Sequence, residues 1–243
     1  MDIAEDYQKS KLLTRSRVTQ KEYARIIDKE VRPQFGHMHP NDLTQQDVAV
    51  FLECMTQANK APMGNRIVAV LSSIYNHGMR IRMADFNPTY GVRRNEEKPK
   101  QHYVTDQELW DASKKATQRF RWFMWGLYLT GLRQKDLMAL DITSRIYEVI
   151  EVIESKTNKG VEVIVTPSLK KLLRRSIGPR TDGAVFIGER GQRWRQSAVQ
   201  SAMGRLNVPW TLHDLRAKAE SDHPEGLGLL TRYNRRKTVT GVK

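Results

Sequence analysis

IYEVIEVIESKTNKGVEVIVTP, running from Ile146 to Pro167, is where this chain changes its period. Upstream and downstream, apolar residues recur every three or four positions, the spacing of helices with one buried face. Here IYEVIEVIES and GVEVIVTP alternate as strands do, and KTNK between them has the residues of a hairpin turn. The expected fold class is therefore mainly α with a small antiparallel β-sheet in the second half of the chain.

Immediately upstream, the apolar stretch WFMWGLYL (Trp122 to Leu129) leads into TGLRQKDLMAL, Thr130 to Leu140. Gly131 marks the end of one helix and Arg133 the approach to the next. Downstream, helices are expected over residues 168–175, over 195–206, and from about His213.

The first hundred residues are helical in pattern. Thr19-Gln-Lys-Glu22 has the form of a capping box, followed by Tyr23, Ile26, Ile27 and Val31 on one face. Thr44-Gln-Gln-Asp47 opens a second helix with Val48, Phe51, Leu52 and Met55 inward. Pro62 suits a first helical turn, and Ile67, Leu71 and Ile74 form a third stripe. NPTYGVRRNEEKPKQHY, residues 87–103, breaks the period with Pro, Gly and mixed charge and is assigned as a linker. Thr105-Asp-Gln-Glu108 then caps a new helix. Two domains are expected, 1–97 and 104–243. Some eighteen residues precede the first capping box, so a further domain ahead of it is expected to be absent or to have been removed.

Among 243 residues, 41 Lys and Arg outweigh 27 Asp and Glu, a formal charge of +14. That excess favours a polyanionic partner, above all nucleic acid, with salt-dependent binding. WFMWGLYL is too short to span a bilayer, so no membrane partner is expected. The polar start MDIAEDYQKSK has no secretory pattern. The single cysteine, Cys54, lies among apolar helix residues and is expected to be a buried, inert thiol. Zinc-ligand spacing, a Walker A loop and GxGxxG are all missing, which disfavours a nucleotide-driven motor or a metal ribbon.

Five chemistry-bearing residues stand at four places: Arg133 at a helix start, Lys156 in the hairpin turn, His213 and Arg216 in TLHDLR, and Tyr233 in LLTRYNRRK. The His-x-x-Arg spacing puts both side chains on one helix face, where they can share a ligand. A phosphate fits, because a guanidinium fork binds it bidentately. Taken singly, each has a bland explanation: a surface arginine, a solubilising turn lysine, a helix-starting His-Asp pair, a tyrosine on a basic segment. Their joint order in the chain is more specific.

In that order and context the second domain resembles the catalytic domain of the tyrosine site-specific recombinases, the phage-integrase family. TGLRQKDLMAL is similar to its first arginine box, SKTNKGVEVIVTP to its lysine hairpin, TLHDLR to its His-x-x-Arg box and RYNRR to its nucleophile segment. The helical first domain, with FNPTYGV and the basic linker before YVTDQEL, resembles the family's SAM-like core-binding domain and domain junction.

The resemblance implies a DNA-integrating or -excising enzyme in which Tyr233 attacks a phosphodiester. Arg133 and Arg216 would clamp nonbridging oxygens, Lys156 protonate the leaving 5′-oxygen and His213 assist. No cofactor or metal is implied. The partners implied are double-stranded DNA attachment sites and a homotetramer formed on them, with accessory DNA-bending or directionality proteins. Arg66, Arg80, Arg82, Arg93, Arg94, Lys98 and Lys100 are candidate DNA-binding residues. With no targeting signal, a cytoplasmic, nucleoid-associated place in a prokaryotic cell is expected.

The last part of the chain departs from the family. A Leu-Leu-Gly-His-like turn ordinarily follows the His-x-x-Arg helix, whereas Leu229-Leu230 runs directly into Thr231-Arg-Tyr233. His223 stands in Asp-His-Pro, a different context, and is a doubtful substitute. Residues 216 to 233 can span roughly 55 Å when extended, so the phenol has the reach for a site in its own or a neighbouring chain. Two alternatives stay open: a noncatalytic DNA-binding remnant of an integrase, and, more weakly, a type IB topoisomerase.

Overall fold

A computed structural model describes residues 2–97, 102–143 and 145–222, together with the backbone of 231–233. The chain divides into two compact units, residues 1–100 and 101–243.

The first unit is helical. Helix α1 (Asp2–Lys9) is followed by a 3-10 turn (Lys11–Thr14), α2 (Arg17–Ile26), a π-helical stretch (Ile27–Val31), α3 (Arg32–Phe35), α4 (Gln45–Gln57) and α5 (Ala61–Arg80). The expected box at Thr19 is not the start of α2. Ser16 is the N-cap, its hydroxyl accepting the Thr19 N–H at 3.3 Å, and Thr19 already lies within the helix. The box at Thr44 and Asp47 is present in both directions, and Pro62 stands in the first turn of α5.

α1 falls among residues assigned no element from the sequence. It buries Ile3, Ala4 and Tyr7. Asp6 Oδ1 meets His77 Nε2 of α5 at 2.6 Å, and a Cβ at Gly78 would stand 3.2 Å from the Ile3 side chain. The glycine thus permits the close approach of the two helices. Cys54 is exposed, not buried. Val48 and Leu52 face the core, and two residues beyond Leu52 is about 200° around a helix, on the opposite side.

The stretch assigned as linker is partly integral to this unit. Asn87 is buried and its amide donates to Ser72 O, at 3.1 Å, and to Asn76 Oδ1, at 2.8 Å. Asn95 donates to Leu52 O at 2.9 Å. The Asn87 and Asn95 side chains tie this stretch to α5 and α4, which is why Pro and Gly here mark a packed loop and not a free connection.

The second unit begins with α6 (Asp106–Lys115), opened by the Thr105–Glu108 capping box, and continues through α7 (Gln118–Thr130) and α8 (Gln134–Ala139). Strands β1 (Val149–Ile153) and β2 (Gly160–Ile164) follow, then α9 (Pro167–Ile177), α10 (Gln196–Gly204), α11 (Leu212–Asp222) and β3 (Thr231–Tyr233). β1 and β2 form the expected antiparallel hairpin, with Ile153 opposite Gly160; β3 adds antiparallel to β2. Mainly α with a small antiparallel sheet is therefore the observed class.

The core of this unit gathers Phe120, Phe123 and Leu127 of α7, Ile150 and Val163 of the sheet, Leu169 and Leu173 of α9, Phe186, Trp194 and Leu215 of α11. Burying one such large side chain stabilises by about 1.5–3 kcal/mol. This core fixes α7 and α11 side by side, and with them the residues at their ends. Among the described residues no helix is long and apolar enough to cross a membrane.

Candidate active site

Gly131 ends α7 in the left-handed region, at φ 61°, its N–H donating to Leu127 O at 2.9 Å. A side chain would be strained there. The reversal brings Arg133 to the N-cap position of α8 in extended conformation, with its side chain 28% exposed.

Arg216 arrives from α11. Thr211 and Asp214 begin that helix: the Thr211 N–H and hydroxyl both donate to Asp214 Oδ2, at 2.7 and 3.0 Å. Leu212, Leu215 and Ala219 face inward, leaving His213 exposed in the first turn and Arg216 half-buried.

The two arginines meet at one carboxylate. Arg133 Nη1 lies 2.5 Å from Glu154 Oε1, and Arg216 Nη1 lies 3.7 Å from the same oxygen. Glu154 stands just after β1, at the base of the hairpin turn. Its other oxygen accepts the Thr157 hydroxyl at 2.6 Å. Burial alone would raise the Glu154 pKa. The hydrogen bonds from Arg133 and Thr157, with the charges of Arg133 and Arg216, outweigh it and hold the group below its ordinary value.

Lys156 is exposed in this same turn, next to Thr157. Asn158 occupies the left-handed region, at φ 53°, and its N–H donates to Glu154 O at 2.9 Å. A second tie comes from buried Asp136 of α8, whose Oδ1 accepts the Ser155 N–H at 2.9 Å. His213 and Gln134, the neighbour of Arg133, line one surface cavity between α8, α10 and α11.

The structure therefore gathers Arg133 and Arg216 directly, ties the Lys156 turn to them through Glu154 and Asp136, and places His213 on the same cavity as Gln134. Tyr233 is placed by its backbone: it pairs with Val161, which pairs with Val152. Its main chain is thus two strands across from Val152, about 10 Å away, at the end of the sheet nearest the Lys156 turn. His223 lies outside the described residues, as do Lys98 and Lys100.

The remaining candidates belong to the first unit. Arg66 and Arg80 are exposed on α5, and Arg82 is exposed just beyond it with φ 60°. Arg93 is exposed and 3.1 Å from Glu96, while Arg94 is half-buried and desolvation lowers its pKa. Among the described residues no group of three or more His, Cys, Asp or Glu side chains could hold a metal ion.

Glu154 and Asp136 were missed at the sequence level. One signal was available. In an alternating strand Glu154 has the parity of Ile150 and Val152, the inner face, whereas Glu151 has the outer one.

The fold of this mainly helical chain is similar to that of integrases of known structure. Lambda integrase (75–356) as a dimer bound to a COC′ core site matches at a TM-score of 0.79 and 18% identity, over 90% of this chain and 88% of that chain. A lambda integrase tetramer bound to a Holliday junction matches at 0.79 and 17%, over 90% and 71%. The Tn1549 transposon integrase in complex with transposon right end DNA matches at 0.74 and 14%, over 90% and 85%. No protein-family model matches the sequence, and no curated protein matches it.

Proposed function

We propose that this chain is a tyrosine recombinase that breaks and rejoins duplex DNA through a covalent phosphotyrosyl intermediate. The observation that carries the reading is the convergence of Arg133 and Arg216 on a single oxygen of Glu154, within reach of the turn that bears Lys156. Each guanidinium has five donors, more than one carboxylate oxygen can take up. The fold shared with lambda and Tn1549 integrases, and the charge of +14, support the same reading.

In this mechanism the Tyr233 phenolate oxygen attacks phosphorus and forms the P–O bond of a 3′-phosphotyrosine. The bond from phosphorus to the 5′-oxygen breaks, and Lys156 donates the proton that makes the 5′-hydroxyl. Arg133 and Arg216 stabilise the charge that grows on the nonbridging oxygens, while His213 holds the phosphate and assists proton movement. A second 5′-hydroxyl reverses the step on a new strand. The phosphotyrosyl link keeps the ester energy, so resealing needs no nucleotide.

In this reading the first unit supplies further contacts to duplex DNA through Arg66, Arg80, Arg82, Arg93 and Arg94, with Lys98 and Lys100 in the connecting stretch. Most of these would meet phosphates and carry no sequence information. Attachment sites on duplex DNA and assembly of four protomers on them complete the proposal.

The test is a suicide substrate. Duplexes bound by the protein are selected from a random library, and a nick is placed so that the released 5′-hydroxyl fragment diffuses away. Wild-type protein is expected to give an adduct that survives denaturing electrophoresis, and Tyr233→Phe none. Binding without adduct at nicks placed across the selected site would overturn the enzyme and leave a noncatalytic DNA-binding protein.

A further inference from the structure

Glu154 poses a problem for a phosphate site. A carboxylate beside two arginines subtracts a charge where an anion must be held, and it repels that anion. Its place in the site must therefore be offset by something it supplies.

The exposures indicate what that is. The Glu154 side chain is 4% exposed, against 16% for Arg216 and 28% for Arg133. The carboxylate is the most deeply buried of the three, and both arginine side chains keep part of their surface exposed. Its oxygens are divided: Oε1 serves the two arginines, and Oε2 takes the Thr157 hydroxyl. Its backbone closes the turn, the Glu154 N–H donating to Lys159 O at 2.9 Å and its carbonyl accepting from Asn158 N–H at 2.9 Å. One residue thus joins three pieces that are far apart in sequence: the start of α8, the middle of α11 and the turn carrying Lys156.

We propose that Glu154 is a positioning residue, an interior strut that holds Arg133, Arg216 and the Lys156 turn in one fixed arrangement before DNA arrives. The inference deepens the strand-cleavage reading and rests on it for its kinetic consequence. An arginine side chain has large rotamer freedom, and immobilising two of them in advance removes an ordering cost from the reaction. The opposing idea is that Glu154 is a stand-in for the phosphate, to be displaced on binding. The two ideas predict opposite signs for its removal.

The experiment compares wild type, Glu154→Ala, Glu154→Gln and Glu154→Asp on a selected nicked duplex, measuring affinity and single-turnover adduct formation separately. Alanine is expected to slow adduct formation about 100-fold while affinity changes by less than about threefold, since most binding comes from other phosphate contacts. Glutamine keeps an acceptor for the arginines, and its amide can donate to Thr157, so it should recover most of the loss. Aspartate keeps the charge but withdraws it by one methylene. It should be slowed about tenfold, and it is the variant to use where alanine does not fold. A wild-type rate in alanine or aspartate overturns the proposal, and so does faster cleavage or tighter binding in glutamine.

A second readout does not depend on cleavage. The arginine Nε–Hε NMR signals of the DNA-free protein, assigned with Arg133→Lys and Arg216→Lys, should be sharp in wild type and in glutamine. In alanine or aspartate they should broaden or exchange rapidly. Unchanged signals overturn the strut. Loss of these signals together with a wild type that forms no adduct would keep the strut and remove the strand-cleavage reading.

Discussion

Lys218 Nζ lies 3.0 Å from Asp222 Oδ2, one turn apart on α11, with the lysine side chain wholly buried. Asp106 Oδ1 at 2.7 Å and the Tyr103 hydroxyl at 3.1 Å complete its shell, and the rings of Tyr103 and Tyr128 lie 4.7 and 5.5 Å away. Tyr103 and Tyr128 also donate to Asp222, at 2.5 and 2.8 Å. The start of the second unit, α7 and the end of α11 are thereby joined around one buried lysine.

Removing only the cation should be costly. Lys218→Met leaves Asp222 without its cation in a partly buried setting, a change of about 3–5 kcal/mol. The pH dependence has a definite sign. Burial raises the Asp222 pKa, but the Tyr103, Lys218 and Tyr128 bonds outweigh it and hold it below its usual value. Its contribution is present above that value and is lost as pH falls through the folded pKa. Burial lowers the Lys218 pKa, and bonds to Asp106, Tyr103 and Asp222 outweigh that too, raising it above the usual lysine value. Its contribution holds up to alkaline pH and is lost as pH rises through the raised pKa. Denaturant unfolding should therefore show a constant wild-type to Met difference from pH 6 to 9 that shrinks in acid. A difference that grows in acid would contradict the ion-pair account.

Gly126 of α7 faces Phe186. A Cβ there would stand 2.6 Å from the Cζ of a fully buried ring, and that ring is packed edge-on against Phe123 at 6.1 Å. Gly126→Ala improves helix propensity by about 1 kcal/mol. It also overpacks the core by about 1–3 kcal/mol. The ring is buried and packed against Phe123, so the clash should prevail and the melting temperature should fall by several degrees. A rise would mean that Phe186 has room to move.

What the sequence made legible follows from what each signal measures. The hairpin from Val149 to Ile164 and the boxes at Thr44 and Thr105 were visible because alternation and capping are local. The Ser16 cap was displaced to Thr19 because two hydroxyl residues stand three apart and either can begin the pattern. α1 was missed because Ile3, Ala4 and Tyr7 are few and lie among acids, and only α5 gives them a surface to bury against. Arg133, Lys156, His213 and Arg216 came from order and resemblance. That Arg133 and Arg216 converge on Glu154 is a tertiary fact, and no periodicity in either helix contains it.

Cys54 gives an inexpensive check of the α4 orientation. An exposed thiol on the outward face should react with an aromatic disulfide reagent in the folded protein at a rate near that of a small free thiol. Cys54→Ser should abolish the reaction and leave stability within about 0.5 kcal/mol. Reaction only after denaturant is added would mean that α4 is rotated, with the thiol inward.

Two classes of arginine should separate by what they change. Arg66 and Arg93 are exposed on the first unit, and in the proposed function they act as diffuse charge towards phosphate. Replacing both by Gln should weaken DNA binding alike on selected and unrelated duplexes. The slope of log affinity against log salt should fall by about 1 for each phosphate that is no longer neutralised. The rate of adduct formation at saturating protein should hardly move. Arg133 is different, because its fork is engaged with Glu154 and, in the proposed function, also meets the scissile phosphate. Arg133→Lys keeps the charge, so the salt slope should stay within error. It gives up the planar, bidentate geometry that a developing phosphorane needs, and loss of one such donor slows reactions by about 100- to 1,000-fold. Measuring slope and saturating rate for both variants decides the matter. If Arg133→Lys shifted the slope while leaving the rate intact, Arg133 would be one more phosphate contact, and the site would have to be sought elsewhere on the second unit.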